Sequence, residues 1–134
     1  MLLSHGTVVA LVDGKNFDLY RNAGNEAEPE LTALPSPKLD AQNHSGVGHR
    51  SSPGNHADSQ VNEDAHANAA AQWLNDQVLG HKIENLVVIA PPRTLGELRR
   101  HYHKQTEKAL LGELHKDLIG RKAPEILAAL SEHR

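Results

Sequence analysis

From Thr7 to Val12 the chain is apolar and rich in β-branched residues, too short a run for a helix and suited to a buried strand. Asp13-Gly14 comes next, a dipeptide that readily takes the positive φ angles of a tight hairpin turn. Phe17 to Arg21 then alternates apolar with polar residues, as a half-buried antiparallel strand does. Asn22 to Glu28 is turn-like. A third, weaker strand is expected around Glu30 to Leu34, ended by Pro35 and Pro37.

The pattern then lapses. Asp40 to Gln60 has no periodicity and is rich in Ser, Gly, Asn and His, a composition that cannot bury enough apolar surface to pack. It is expected to lack regular structure, as a long flexible Gly/His loop at about 40–60. Helical patterning begins near Asn62, a good N-cap, with Glu63 and Asp64 placed to favour the positive end of the helix dipole. Ala67, Ala70, Ala71, Leu74 and Val78 make one stripe at helical spacing, and Gly80 is a natural stop.

Leu86 to Ala90 is apolar throughout, which predicts an internal strand covered on both faces. Pro91-Pro92 breaks it and opens a second helix, with Thr94 and Glu97 spaced as a capping box. Leu95, Leu98, Tyr102 and Ala109 give that helix its buried face. A short fifth strand is expected within Glu113 to Ile119, and Pro124 opens a last helix carrying Ile126, Leu127 and Leu130. The order β-β-β-α-β-α-β-α predicts an α/β fold: a mixed five-stranded sheet, ribonuclease-H-like, with helices packed on it.

Composition narrows the function classes. The 134 residues fit a single domain, 1–134. With aromatics at 3%, Ala, Val and Leu must fill the core, and Phe17, Tyr20, Trp73 and Tyr102 are its large rings. A net charge of −3 gives no global pull toward nucleic acid, and no DNA partner is expected. The absence of cysteine excludes disulfides, thiolate zinc sites and thiol nucleophiles. Met1 to Val12 lacks the basic start and cleavage site of a signal peptide, and no run is long enough to cross a bilayer, so a cytoplasmic, non-inserted protein is expected.

Several blocks resemble the host attachment family, named for bacterial attachment to host cells. They are Leu39-Asp40, His44 to Arg50, Glu63 to Ala67, Trp73-Leu74-Asn75, Val87 to Gly96 with its Ala-Pro-Pro-Arg run, and Glu113 to Leu118 with its Lys-Asp-Leu. They keep family order along nearly the whole chain. The family is similar in architecture to the middle domain of archaeal and eukaryotic peptide-chain release factors, whose Gly-Gly-Gln loop lies between the meander and the first long helix. Here that slot holds Gly46-Val47-Gly48-His49-Arg50. No Gly-Gly pair occurs and no glutamine follows, a departure that argues against peptidyl-tRNA hydrolysis.

The candidate chemistry is sparse. Arg93 and Thr94, at the end of the apolar strand and the start of a helix, could hold an anion with help from Lys116. Gly46, Gly48, His49 and Arg50 form a candidate partner-contact loop. Of ten histidines, His44, His49 and His56 are the weak metal alternative, since their spacing is irregular and solvated loop histidines explain them more simply. The pair His101 and His103 would not face one another on a helix. Asp13, Glu63 and Asp117 are the acids a two-metal nuclease would call on, although Asp13 beside Gly14 reads better as a turn. Ser51 and Ser52 lack a nucleophile elbow. Arg93, Arg99, Arg100, Lys104 and Lys108 make a basic helix, most simply a solvated face.

The resulting expectation is a non-enzymatic binding or adaptor domain that needs no cofactor and meets a protein or a ribosome/RNA partner. Two rivals stand beside it. One is a hydrolase or nuclease acting on RNA or a ribosome-bound ester, the other a small-anion or metal-binding stress protein.

Overall fold

The computed structural model describes residues 1–39 and 56–132, the side chains of 56–60 excepted. Within them the chain forms β1 (Val8–Val12), β2 (Phe17–Asn22), β3 (Leu31–Leu34), α1 (His56–Leu79), β4 (Leu86–Ala90), α2 (Pro92–Arg99), α3 (Lys104–Ala109), β5 (Leu110–His115) and α4 (Ala123–Glu132). The five strands make one mixed sheet in the order β3-β2-β1-β4-β5. The β1–β2 and β2–β3 pairs are antiparallel, and β1–β4 and β4–β5 are parallel. The α/β class and the internal place of Leu86 to Ala90 are therefore as the pattern predicts.

The two central strands are buried along their whole length because both faces are covered. Side chains alternate across a strand, so Val8, Ala10 and Val12 join Leu86, Val88 and Ala90 against α1 and α2. Val9 and Leu11 join Val87 and Ile89 against α4, where Ile126 and Leu130 are buried. The alanine stripe of α1 lets that helix lie close, with Leu74 inserted as its fully buried anchor. Cutting Leu74 back to alanine should cost about 2–5 kcal/mol. Phe17 and Trp73 meet edge to face at 5.5 Å, joining β2 to α1.

Four features differ from the sequence reading. First, α1 starts at His56, so Asn62 is helix interior and not a cap, and residues 56–60 are helical rather than irregular. The rest of the expected loop lies outside the described residues. Second, the helix after β4 is two helices, broken at Arg100–His103. Asn75 of α1 sits at this break and takes up its polar groups: Nδ2 donates to His101 O at 2.9 Å, and Oδ1 accepts from His103 N at 2.9 Å.

Third, the capping box does not form. Pro91 occupies the cap position without a side-chain bond, and Glu97 faces the other way, toward Arg100 at 3.4 Å and His101 at 3.1 Å. Fourth, β5 begins at Leu110, earlier than expected, because the register against β4 skips one residue and leaves Leu111 as an exposed bulge. At its other end α1 stops at Leu79, just before Gly80 as expected, although the left-handed residue of the cap is His81, whose φ is 62°. The N–H of Lys82 donates to Gln77 O and that of His81 to Val78 O, the paired bonds of a Schellman turn. A side chain in this left-handed position costs roughly 1–2 kcal/mol compared with ordinary backbone.

Candidate functional site

Because β1, β4 and β5 run parallel, Val12, Ala90 and His115 end at the same edge of the sheet. Ligands of open α/β sheets bind at such carboxyl ends. Three segments converge there: the β1–β2 hairpin, the Glu63–His66 turn of α1, and the first turn of α2.

The hairpin is organised by Asp13. Its Oδ1 accepts from Lys15 N at 2.8 Å and Asn16 N at 2.5 Å, and its Oδ2 accepts from the Asn16 amide at 3.1 Å. Partial burial pushes this carboxyl up, but the donated bonds from Lys15 and Asn16, with His66 nearby, outweigh it and hold the group below its ordinary value of 3.8. Asp13 is thus the turn residue it was read to be. The positive φ expected of Gly14 is not used, since positive φ among the described residues falls at Gly6, His81 and Gly120. What Gly14 provides is room: a Cβ there would lie 2.8 Å from Cγ and Cδ of Glu63. Asp117 accepts from Ile119 N at 3.3 Å in a local turn of its own. Among the described residues, no three of His, Asp and Glu stand close enough to hold a metal ion.

His66 closes the arrangement. Its Nε2 lies 3.1 Å from Asn16 O and must donate there, since a carbonyl can only accept. With Lys15, Asp18, Ser36 and Leu39 it borders an open cleft of ≈ 350 Å³. The chain passes from Leu39, in this wall, directly into the residues that lie outside description. Gly46, Gly48, His49 and Arg50 are among those, as are His44, Ser51 and Ser52, and so is the side chain of His56.

At the start of α2, Arg93 pairs with Asp64 of α1 at 3.5 Å, both partly exposed. Pro92 has no N–H to offer, and helix geometry turns the first-turn amides that follow it toward the strand end. Thr94 is half-buried in the same turn. Lys116 stands exposed just past β5, its N–H bonded to Leu114 O at 3.1 Å. Arg93, Thr94 and Lys116 therefore share one sheet end, just beyond the adjacent strands β4 and β5. Of the basic stretch, Arg99 grips Glu113 at 2.7 Å and Arg100 meets Glu97. His101 and His103 lie in the break rather than on a helix face, His103 capping α3 through Nδ1 to Gln105 N at 3.0 Å.

Sequence reasoning missed the cleft and the part His66 and Asn16 play in it. No spacing connects positions fifty apart; only the hairpin folding onto α1 does. The described residues form an α/β domain with a mixed five-stranded sheet and an open cleft at one strand end. The family model described as Bacterial archaeo-eukaryotic release factor family 12 matches residues 6–130, and the chain belongs to that family. No curated protein matches the sequence. Among the described residues, no helix is long and apolar enough to cross a membrane.

Proposed function

We propose that this domain is a non-enzymatic binding or adaptor module of translation, working in the cytoplasm and engaging a ribosome-bound RNA or protein. The observation that carries this reading is the release-factor family match across residues 6–130. The strand order β3-β2-β1-β4-β5 supports placing the fold with the ribonuclease-H-like group. The strand end, with its open cleft and the Arg93–Thr94–Lys116 anion subsite, is the contact surface. The Gly46–Arg50 segment is a second contact from the same chain. Asp13 is committed to its hairpin, which favours holding a partner over activating a nucleophile. Any attachment to host cells would then be an indirect outcome of this cytoplasmic role.

Sedimentation of the full chain with bacterial ribosomes tests the proposal, alongside a peptidyl-tRNA cleavage assay. Co-sedimentation without cleavage is expected, weakened when Gly46 and Gly48 are both changed to alanine. Absence of the chain from the ribosome pellet would overturn the adaptor reading. Cleavage that disappears in His49→Ala would replace it with the hydrolase.

A further inference from the structure

The opposite end of the sheet carries a second surface that the reading above does not use. At the amino ends of β1 and β4 two clefts, of ≈ 300 and ≈ 440 Å³, share His81 and Glu84 as a common wall. They adjoin to form one groove. The smaller is bordered by His5, Arg21 and Lys82, and the larger by Lys108.

Charge is the first argument. The chain as a whole is acidic, at −3, yet this groove gathers three permanent cations and two histidines against the single carboxylate of Glu84. Among the described residues Arg21 is in no ion pair, whereas Arg93, Arg99, Arg100 and Arg121 all are; Lys82 and Lys108, like the other described lysines, are in none. The cations do not simply offset the carbonyl end of α1, because Arg21 lies on β2 and His5 on the segment before β1. Arg21 Nη2 donates to Lys82 O at 3.4 Å, which ties the guanidinium across the groove and leaves its other N–H groups for an oxyanion.

Backbone strain is the second. His81 adopts the left-handed conformation at φ 62°, where glycine would fit at no steric cost, and Gly80 stands immediately before it. Histidine is one of the few side chains tolerated there. Backbone outliers cluster at functional sites, and this one, held by the Schellman turn, borders both clefts. The larger cleft adds apolar surface from Val78, Ile83 and the exposed Leu79, against which a sugar or base can lie.

We infer that this groove binds the phosphodiester backbone of single-stranded RNA, with Arg21, Lys82 and Lys108 on successive phosphates and His81 at the centre. Cations spread along adjoining clefts suit a chain of phosphates better than one converging pocket would. The inference is independent of the strand-end reading, because the two surfaces lie at opposite ends of the parallel strands.

The test is fluorescence anisotropy of a labelled oligouridylate with the full chain across a salt series. Binding should weaken as salt rises. Lys82→Glu/Lys108→Glu should weaken it at least about tenfold and flatten the log–log salt slope by about 0.7 for each phosphate no longer neutralised. His81→Gly keeps the backbone conformation, so circular dichroism should be unchanged while binding falls severalfold. Arg121→Glu/Lys122→Glu makes the same charge change at the start of α4 and should leave binding nearly intact. Unchanged binding in the groove variant would overturn the inference, and so would an equal loss in the α4 control. Displacement of the RNA by free uridine monophosphate at matched phosphate concentration would also overturn it, in favour of a single-phosphate site. Displacement by polyglutamate at matched charge would do so in favour of an acidic protein.

Discussion

The Asn75 side-chain oxygen accepts the Thr106 hydroxyl at 2.7 Å, and both residues are buried. The same oxygen accepts from His103 N, and the amide donates to His101 O. One side chain on α1 thereby satisfies two backbone groups within the α2–α3 break and a hydroxyl in the first turn of α3.

Replacing Asn75 by alanine leaves two donors and one carbonyl without their partner. The expected cost is about 2–4 kcal/mol, measured by urea denaturation. Thr106→Val removes a single bond and should cost only about 1 kcal/mol. If Asn75→Ala cost no more than Thr106→Val, the break would be held by something else.

This clamp also explains what the sequence could reveal. Leu86 to Ala90 was legible because an unbroken apolar run has few other meanings, and the stripe from Ala67 to Val78 because helical spacing is periodic. Leu95, Leu98, Tyr102 and Ala109 fit one continuous helix equally well. The break between them is decided by Asn75, which is distant in sequence. The start of α1 at His56 was invisible for the opposite reason: its first turns carry polar residues with no apolar stripe to mark them. The position of Arg93 and Thr94, past a strand end and in the first turn of a helix, was legible from Pro91-Pro92. The contact between His66 and Asn16 was not, because it exists only once the hairpin meets α1.

Asp13 gives a pH test. Its folded pKa is depressed, so its contribution is present above the unfolded value of 3.8 and is lost as pH falls through the lower folded value. Asp13→Asn should therefore be less stable than wild type near neutrality, and the gap should close in strong acid. Denaturation midpoints at about pH 6 and about pH 2.5 check this. A gap of equal size at both would mean that the charge is irrelevant and only the shape of the turn matters.

Tyr102 gives the alkaline counterpart. Its hydroxyl is buried and finds no hydrogen-bond partner among the described residues. Burial first, and the Glu113 carboxylate second, push its ionisation well above the ordinary 10.0. The stability tied to the neutral phenol is fully present below that value and is lost as pH rises beyond it through the folded pKa. Tyr102→Phe removes an unsatisfied group, so it should be neutral or more stable by up to about 1 kcal/mol at pH 7. It should also flatten the loss of stability above about pH 10. A clear destabilisation at neutral pH would show that the hydroxyl has a partner after all.

The Arg93–Asp64 pair bears on the strand-end anion subsite. Exposed ion pairs of this kind contribute about 0.2–1 kcal/mol, and at 3.5 Å with side chains 60% and 37% accessible this one belongs at the weak end. It can therefore be opened by an anion that offers the guanidinium a better partner while also meeting the first-turn amides of α2. Asp64 competes for the same guanidinium, so removing its charge should help the anion. Phosphate titration followed by backbone amide shifts is expected to move the signals of Arg93, Thr94 and Leu95. In Asp64→Asn the apparent affinity should rise severalfold, and in Arg93→Ala the response should largely disappear. Constant ionic strength is essential, because screening alone would loosen an exposed pair. Unmoved amides in wild type would remove the anion subsite from the proposed contact surface. A response equal in wild type and Asp64→Asn would mean that the anion is held by the helix end alone, with Arg93 serving only to join α2 to α1.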